Sequence, residues 1–226
     1  MIPDAIADIV FFLSRDVESK KRQNSDMRNR RIAILFLLAG SILIPAVALD
    51  AARLKLLGGL AWGKYTVDWD MHNHLKPAYL FGLGVEGGSG RLNNEVDVLY
   101  FLKTNSYISR GWDYKLGEIS VPFMATIKLF PRSTPFLLAG GKVAYILSHK
   151  EKPGPFGGES VYDMMDNTRK IDYGFVVGIG YELKAGGVTL ELSGRYHHGL
   201  AKVSGLGYRE YEFQTRELAV ALGLIF

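Results

Sequence analysis

From Arg216 to Phe226 the chain alternates. Leu218, Val220, Leu222, Leu224 and Phe226 fall on one parity, and Glu217, Ala219, Ala221, Gly223 and Ile225 on the other. A period of two puts successive side chains on opposite faces of a strand. One face is bulky and apolar; the other is mostly small, with a carboxylate at its start. The same division recurs upstream. Tyr173, Phe175, Val177, Ile179, Tyr181 and Leu183 oppose Asp172, Gly174, Val176, Gly178, Gly180 and Glu182. Val188, Leu190, Leu192 and Tyr196 oppose Thr189, Glu191, Ser193, Arg195 and His197, and Ile119 to Leu129 oppose Glu118 to Lys128.

Eight strands are predicted: Arg53–Tyr65, Pro77–Glu86, Asn94–Thr104, Tyr114–Leu129, Pro135–Leu147, Ile171–Leu183, Val188–Leu200 and Arg216–Phe226. In the first, Leu54, Leu56 and Leu57 do not separate by parity. Gly87-Gly88-Ser89-Gly90, Phe130-Pro131-Arg132-Ser133 and Lys184-Ala185-Gly186-Gly187 read as tight turns. Between them stand longer loops, among them Asn105–Asp113 and Ser148–Lys170. Short and long connections therefore alternate, as in a barrel with short turns on one side of a membrane and longer loops on the other. The rival, a soluble sandwich, has no reason to sort its loops by parity. The expected fold is an all-β, eight-stranded antiparallel up-and-down transmembrane barrel.

In lipid the apolar faces must look outward, because a charge near the bilayer midplane costs roughly 2–4 kcal/mol. The charged faces then meet in the lumen. They bring Glu86, Glu118, Lys128, Lys142, Asp172, Glu182, Glu191, Arg195 and Glu217 inside a barrel narrow enough for side chains to fill. Charges buried there require partners. Arg195 is expected at the centre, with Glu191 and Glu118 as mates. Aromatic residues should gather where wall meets headgroup: Phe130, Tyr181 and Phe226 at the turn side, and Trp62, Tyr65, Tyr107, Tyr173 and Tyr196 at the loop side.

Composition agrees, with 26 Gly, 12 Tyr, 12 Phe and 3 Trp but only 8 Pro among 226 residues. The net charge of +4 is too small and too scattered for nucleic-acid binding. Cysteine is absent, which excludes disulfides and thiolate metal sites. The front of the chain is different. Arg28, Arg30 and Arg31 precede the apolar run Ile32–Ile44, then Pro45 and Ala46-Val47-Ala48. That order reads as a secretory signal peptide over residues 27–48, cut after Ala48 to leave a barrel of residues 49–226; a retained anchor helix is the alternative. Residues 1–26 form an N-terminal extension with no assigned function, and Met27 occupies the usual place of a start.

The segments Glu118-Ile119-Ser120-Val121-Pro122, Pro135-Phe136-Leu137-Leu138-Ala139-Gly140-Gly141, Asp172 to Gly180 and Leu190-Glu191-Leu192-Ser193-Gly194-Arg195-Tyr196 occur in an order that resembles the PorT-like, porin-family outer membrane protein beta-barrel domain. The resemblance covers most of Arg53–Phe226 and implies a small eight-stranded barrel in the outer membrane. It implies little about activity. The last strand also resembles those of outer-membrane barrels that end on an aromatic residue, which makes Phe226 the expected insertion signal for the assembly machinery.

Enzymatic chemistry finds little footing. Adjacent His197 and His198 face opposite sides of a strand, and His72 and His74 lack a matched third ligand, so no metal is expected. His198 and Ser204 suggest a lipid hydrolase, but no acid at suitable spacing completes a triad. Gly154–Gly158 lacks the Lys-Ser/Thr of a phosphate loop. The expected role is structural or in surface contact: a monomeric, non-enzymatic barrel without cofactor. Its expected partners are outer-membrane lipids, the barrel-assembly machinery and a surface ligand at the outer loops. The alternatives are a narrow porin-like channel and a lipid-modifying enzyme.

Overall fold

A computed structural model describes residues 52–66, 73–107, 112–130, 134–152, 161–201, 203 and 214–226. The extension, the signal peptide and its cleavage point lie outside these residues, as do His72, Ser204 and Gly154–Gly158. Eight long strands are present: β1 (Arg53–Thr66), β3 (Pro77–Ser89), β4 (Leu92–Tyr107), β5 (Trp112–Lys128), β6 (Thr134–Lys152), β8 (Ile171–Ala185), β9 (Val188–Gly199) and β10 (Gln214–Ile225). Two short strands, β2 (Asn73–Leu75) and β7 (Tyr162–Asp163), and a 3-10 turn at Met165–Asn167 are added to them.

Each long strand pairs antiparallel with two others, and β1 closes on β10. Closure leaves no free edge, so the backbone polar groups are satisfied within the wall. Stepping through paired residues from Arg53 to Glu86, Glu95, Met124, Gly140, Val176, His197 and Glu217 returns to β1 at Gly63, ten residues further on. A stagger of this size tilts the strands by about 40° and closes the lumen around side chains.

The two faces differ sharply. Leu222 is 63% exposed and Ile179 65%, whereas Ala221, next to Leu222, and Val176, on the opposite face of β8 from Ile179, are buried. Leu54, Leu56, Tyr79, Phe81, Val98, Ile119, Leu137, Tyr145 and Phe175 continue the outward belt. Exposed apolar area of this extent marks a surface that is covered by membrane or by protein. Inside, Leu57, Leu80, Leu99 and Phe101 form one apolar cluster and Met124, Phe136, Leu138 and Val176 another. Leu116, Ile146 and Val203 form a third near the outer mouth, with Tyr114 and Met165 packed on it.

Three sequence expectations need correction. The expected turn at Gly87–Gly90 is mostly strand: β3 runs to Ser89, and Gly90, at φ 74°, makes the reversal with Arg91. The expected loop from Ser148 begins as strand, since β6 reaches Lys152 by pairing with the early part of β5, across a register shift at Gly117/Glu118. The expected loop from Asn105 also begins as strand, since β4 runs to Tyr107 and β2 supplies backbone partners for Asn105–Tyr107 where β4 outruns β3. β4, β5 and β6 thus project beyond the belt as a small outer sheet edged by β2 and β7.

Candidate functional site

The lumen holds charge in two layers. In the layer nearer the termini, Arg195 on β9 reaches the opposite wall. Its Nη1 lies 2.7 Å from Asp97 Oδ2 and its Nη2 2.9 Å from Glu95 Oε1, both on β4. Nη2 is also 3.1 Å from Glu191 Oε1, and Nε donates to Ser193 Oγ at 3.1 Å. Lys55 on β1 donates to Glu95 Oε1 at 2.8 Å and also to Glu191. Lys55, Glu95, Arg195 and Glu191 therefore form a closed ring of ion pairs across the bore. All four are buried. Asp97 fits because its strand partner is Gly84, where a Cβ would lie 2.0 Å from Asp97 Oδ1.

Towards the outer mouth, Lys103 Nζ lies 2.6 Å from Glu118 Oε2 and 2.5 Å from Glu217 Oε1. Lys142 is held more loosely, 3.7 Å from Asp172 Oδ2 and 3.8 Å from Glu217 Oε1. Thr215 donates to Asp172 at 2.7 Å. His197 sits in this layer with its ring edge-on to Phe101, and its nitrogens meet no hydrogen-bond partner among the described residues. Each layer sets two cations against three carboxylates. Where strands meet turns, Arg53 pairs with Glu86, and Lys128 Nζ with Glu182 Oε2 at 2.7 Å.

Of the nine charges expected inside, Glu191 and Arg195 belong to the first layer, and Glu118, Lys142, Asp172 and Glu217 to the second. Glu86, Lys128 and Glu182 stand at the rim. Arg195 does not pair with Glu118, which the stagger carries to the outer layer, within reach of Lys103. Among the described residues, four lumen charges escaped the sequence reading: Lys55, Glu95, Asp97 and Lys103. Lys55 lies in the leucine run that obscures parity in β1. On β4, Leu99 and Phe101 turn inward while Val98, Tyr100 and Leu102 turn outward or half outward, so the apolar stretch from Val98 to Leu102 hides the alternation. Its usable signal is Glu95-Val96-Asp97-Val98.

Oxygens of Glu86, Glu95 and Glu191 lie within 4.8 Å of one another, a spacing that could hold a cation. Arg53, Lys55 and Arg195 already neutralise them, so the geometry needs no ion there. His198 faces away from the lumen. It stacks on Phe175 at 4.9 Å, with its Nδ1 3.2 Å from the Tyr196 hydroxyl. Phe226 is exposed on the outer face, and its N–H donates to Leu54 O at 2.9 Å.

A family model described as the outer membrane protein beta-barrel domain matches residues 63–205. The chain belongs to that family. This places the protein in the bacterial outer membrane. Similar solved structures include Ail, the attachment invasion locus protein of Yersinia pestis, at 12% identity over 78% of this chain and 99% of that chain, TM-score 0.43. Neisserial surface protein A matches at 15% identity over 76% and 97%, TM-score 0.45. OprG from Pseudomonas aeruginosa matches at 10% identity over 78% and 96%, TM-score 0.46. Among curated proteins, none matches this sequence.

Proposed function

We propose that this outer-membrane barrel is a non-conducting, non-catalytic wall element that presents its outer sheet and loops to surface partners. The closed ring of Lys55, Glu95, Arg195 and Glu191 carries the reading, because it joins three strands across the full bore and its members are buried. A solute passing that level would have to break several paired charges in a confined space, a cost of several kcal/mol. The barrel inserts as a monomer through the assembly machinery and takes no cofactor. Within its family it belongs to the PorT-like branch. The motifs behind that assignment supply lumen ions on three walls, Glu118 on β5, Asp172 on β8, and Glu191 and Arg195 on β9, and Lys142 on β6 directly follows a fourth motif.

The test is conductance. Purified protein reconstituted in planar bilayers should show no steady single-channel events, and Arg195→Ala with Asp97→Ala should introduce them. Steady events in the native protein would favour the second reading, a narrow channel. The loosely held Lys142 is the feature that fits a channel best.

A further inference from the structure

Just above the belt on the β9–β10–β1 wall, three basic positions stand side by side. Arg216 on β10 is the register partner of His198 on β9 and of Lys64 on β1. Like charges directly opposed across strands destabilise a sheet, and the register sets Arg216 opposite a second cationic residue type at position 64. Neither Arg216 nor His198 forms an ion pair among the described residues. Arg216 Nε is moreover buried and meets no hydrogen-bond partner among them. The neighbouring carboxylates, Glu217 and Asp172, point into the lumen and are engaged there.

One step nearer the hydrocarbon, Trp62, Leu218 and Tyr196 are register partners on the same three strands. Below them the outward face of β10 is wholly aliphatic from Leu218 to Leu224. A guanidinium beside an imidazole, directly above an aromatic and aliphatic wall, is complementary to an amphiphile with an anionic head. At the junction of hydrocarbon and headgroup the abundant anion is phosphate, and a guanidinium binds phosphate through paired N–H donors.

We propose that Arg216, with His198 beside it, forms a docking site for the phosphate of an anionic lipid in the outer leaflet, whose acyl chains lie on the Leu218–Leu224 wall. Arg216 is the principal contact. The comparison surface is Lys115 and Lys150, an exposed pair facing each other on β5 and β6 further from the belt.

The experiment uses the full chain folded in zwitterionic detergent, with bisphosphorylated lipid A, its dephosphorylated form, phosphatidylcholine or inorganic phosphate added. The readouts are native mass spectrometry and the midpoint of heat-modified gel mobility. Bisphosphorylated lipid should bind and raise the midpoint, and the other three should not. Arg216→Gln should weaken that binding by about tenfold or more, whereas Lys150→Gln should not. Both variants should keep the native midpoint without lipid, which separates lost binding from lost folding; if Arg216→Gln does not fold, His198→Gln is read in its place. Equal binding of dephosphorylated lipid, an equal shift by inorganic phosphate, or equal losses in the Arg216 and Lys150 variants would each overturn the proposal.

Discussion

Arg195 answers three carboxylates at once, so its removal leaves more than a missing contact. Truncating one partner of a buried ion cluster strands the others without compensation, at a cost of roughly 3–5 kcal/mol. Arg195→Leu is expected to lower the temperature at which the barrel loses its heat-modified mobility, and Asp97→Asn in the same chain should restore part of the loss through coupling. An unchanged midpoint in Arg195→Leu would show that the ring does not hold the lumen together. The sequence singled out Arg195 because a lone arginine on an inward face needs an anion. It could not name Glu95 and Asp97 as that anion, since they lie about a hundred residues away, on the opposite wall.

At the scale of elements, the outer sheet has its own tie. β6 continues past the belt, and its buried His149 places Nδ1 2.7 Å from Thr168 Oγ1, while Met164 N–H donates to His149 O at 2.9 Å. The Thr168 hydroxyl donates to Met164 O, so the imidazole nitrogen facing it acts as the donor. Burial holds this imidazole down at about 4, against a smaller opposing pull from Asp163, whereas the free ring titrates at 6.5. The tie is therefore at full strength above pH 6.5 and weakens as the pH falls towards 4. Burial raises the nearby Glu151 carboxyl, which works in the opposite sense, because its protonation relieves a desolvation cost. Hydrogen exchange at Met164 and Thr168, corrected for intrinsic rates, should quicken across that range in the native protein. It should stay flat in His149→Gln; identical profiles would remove His149 from the account. Prolines and glycines made this segment read as loop, and only the pairing of β5 with β6 showed where the strand stops.

At the scale of the whole molecule, the outward belt fixes the protein in its solvent. Leu222 lies in mid-belt on β10 and is one of its most exposed side chains. Leu222→Arg should cost about 2–4 kcal/mol of folding stability in vesicles, measured by denaturant titration. A substitution of no consequence there would mean that this face does not meet hydrocarbon. The same alternation that makes the belt apolar makes the lumen polar, so exterior and interior follow from one pattern. The interior is not charged throughout. Apolar clusters around Phe101 and Phe136 separate and flank the ion-pair layers, and Leu116, Ile146 and Val203 pack near the mouth.

The period of two, plain in four of the eight strands, together with short and long connections in turn, was enough by itself to determine a barrel, its inward and outward faces and the sign of what each face meets. These properties belong to single strands and to the solvent around them, so local order along the chain carries them. Which cation meets which carboxylate was decided only by closure. A stagger of ten residues around the ring sets the height of every lumen group against those on other strands. That height is a sum over all the registers, and no one stretch of chain contains it.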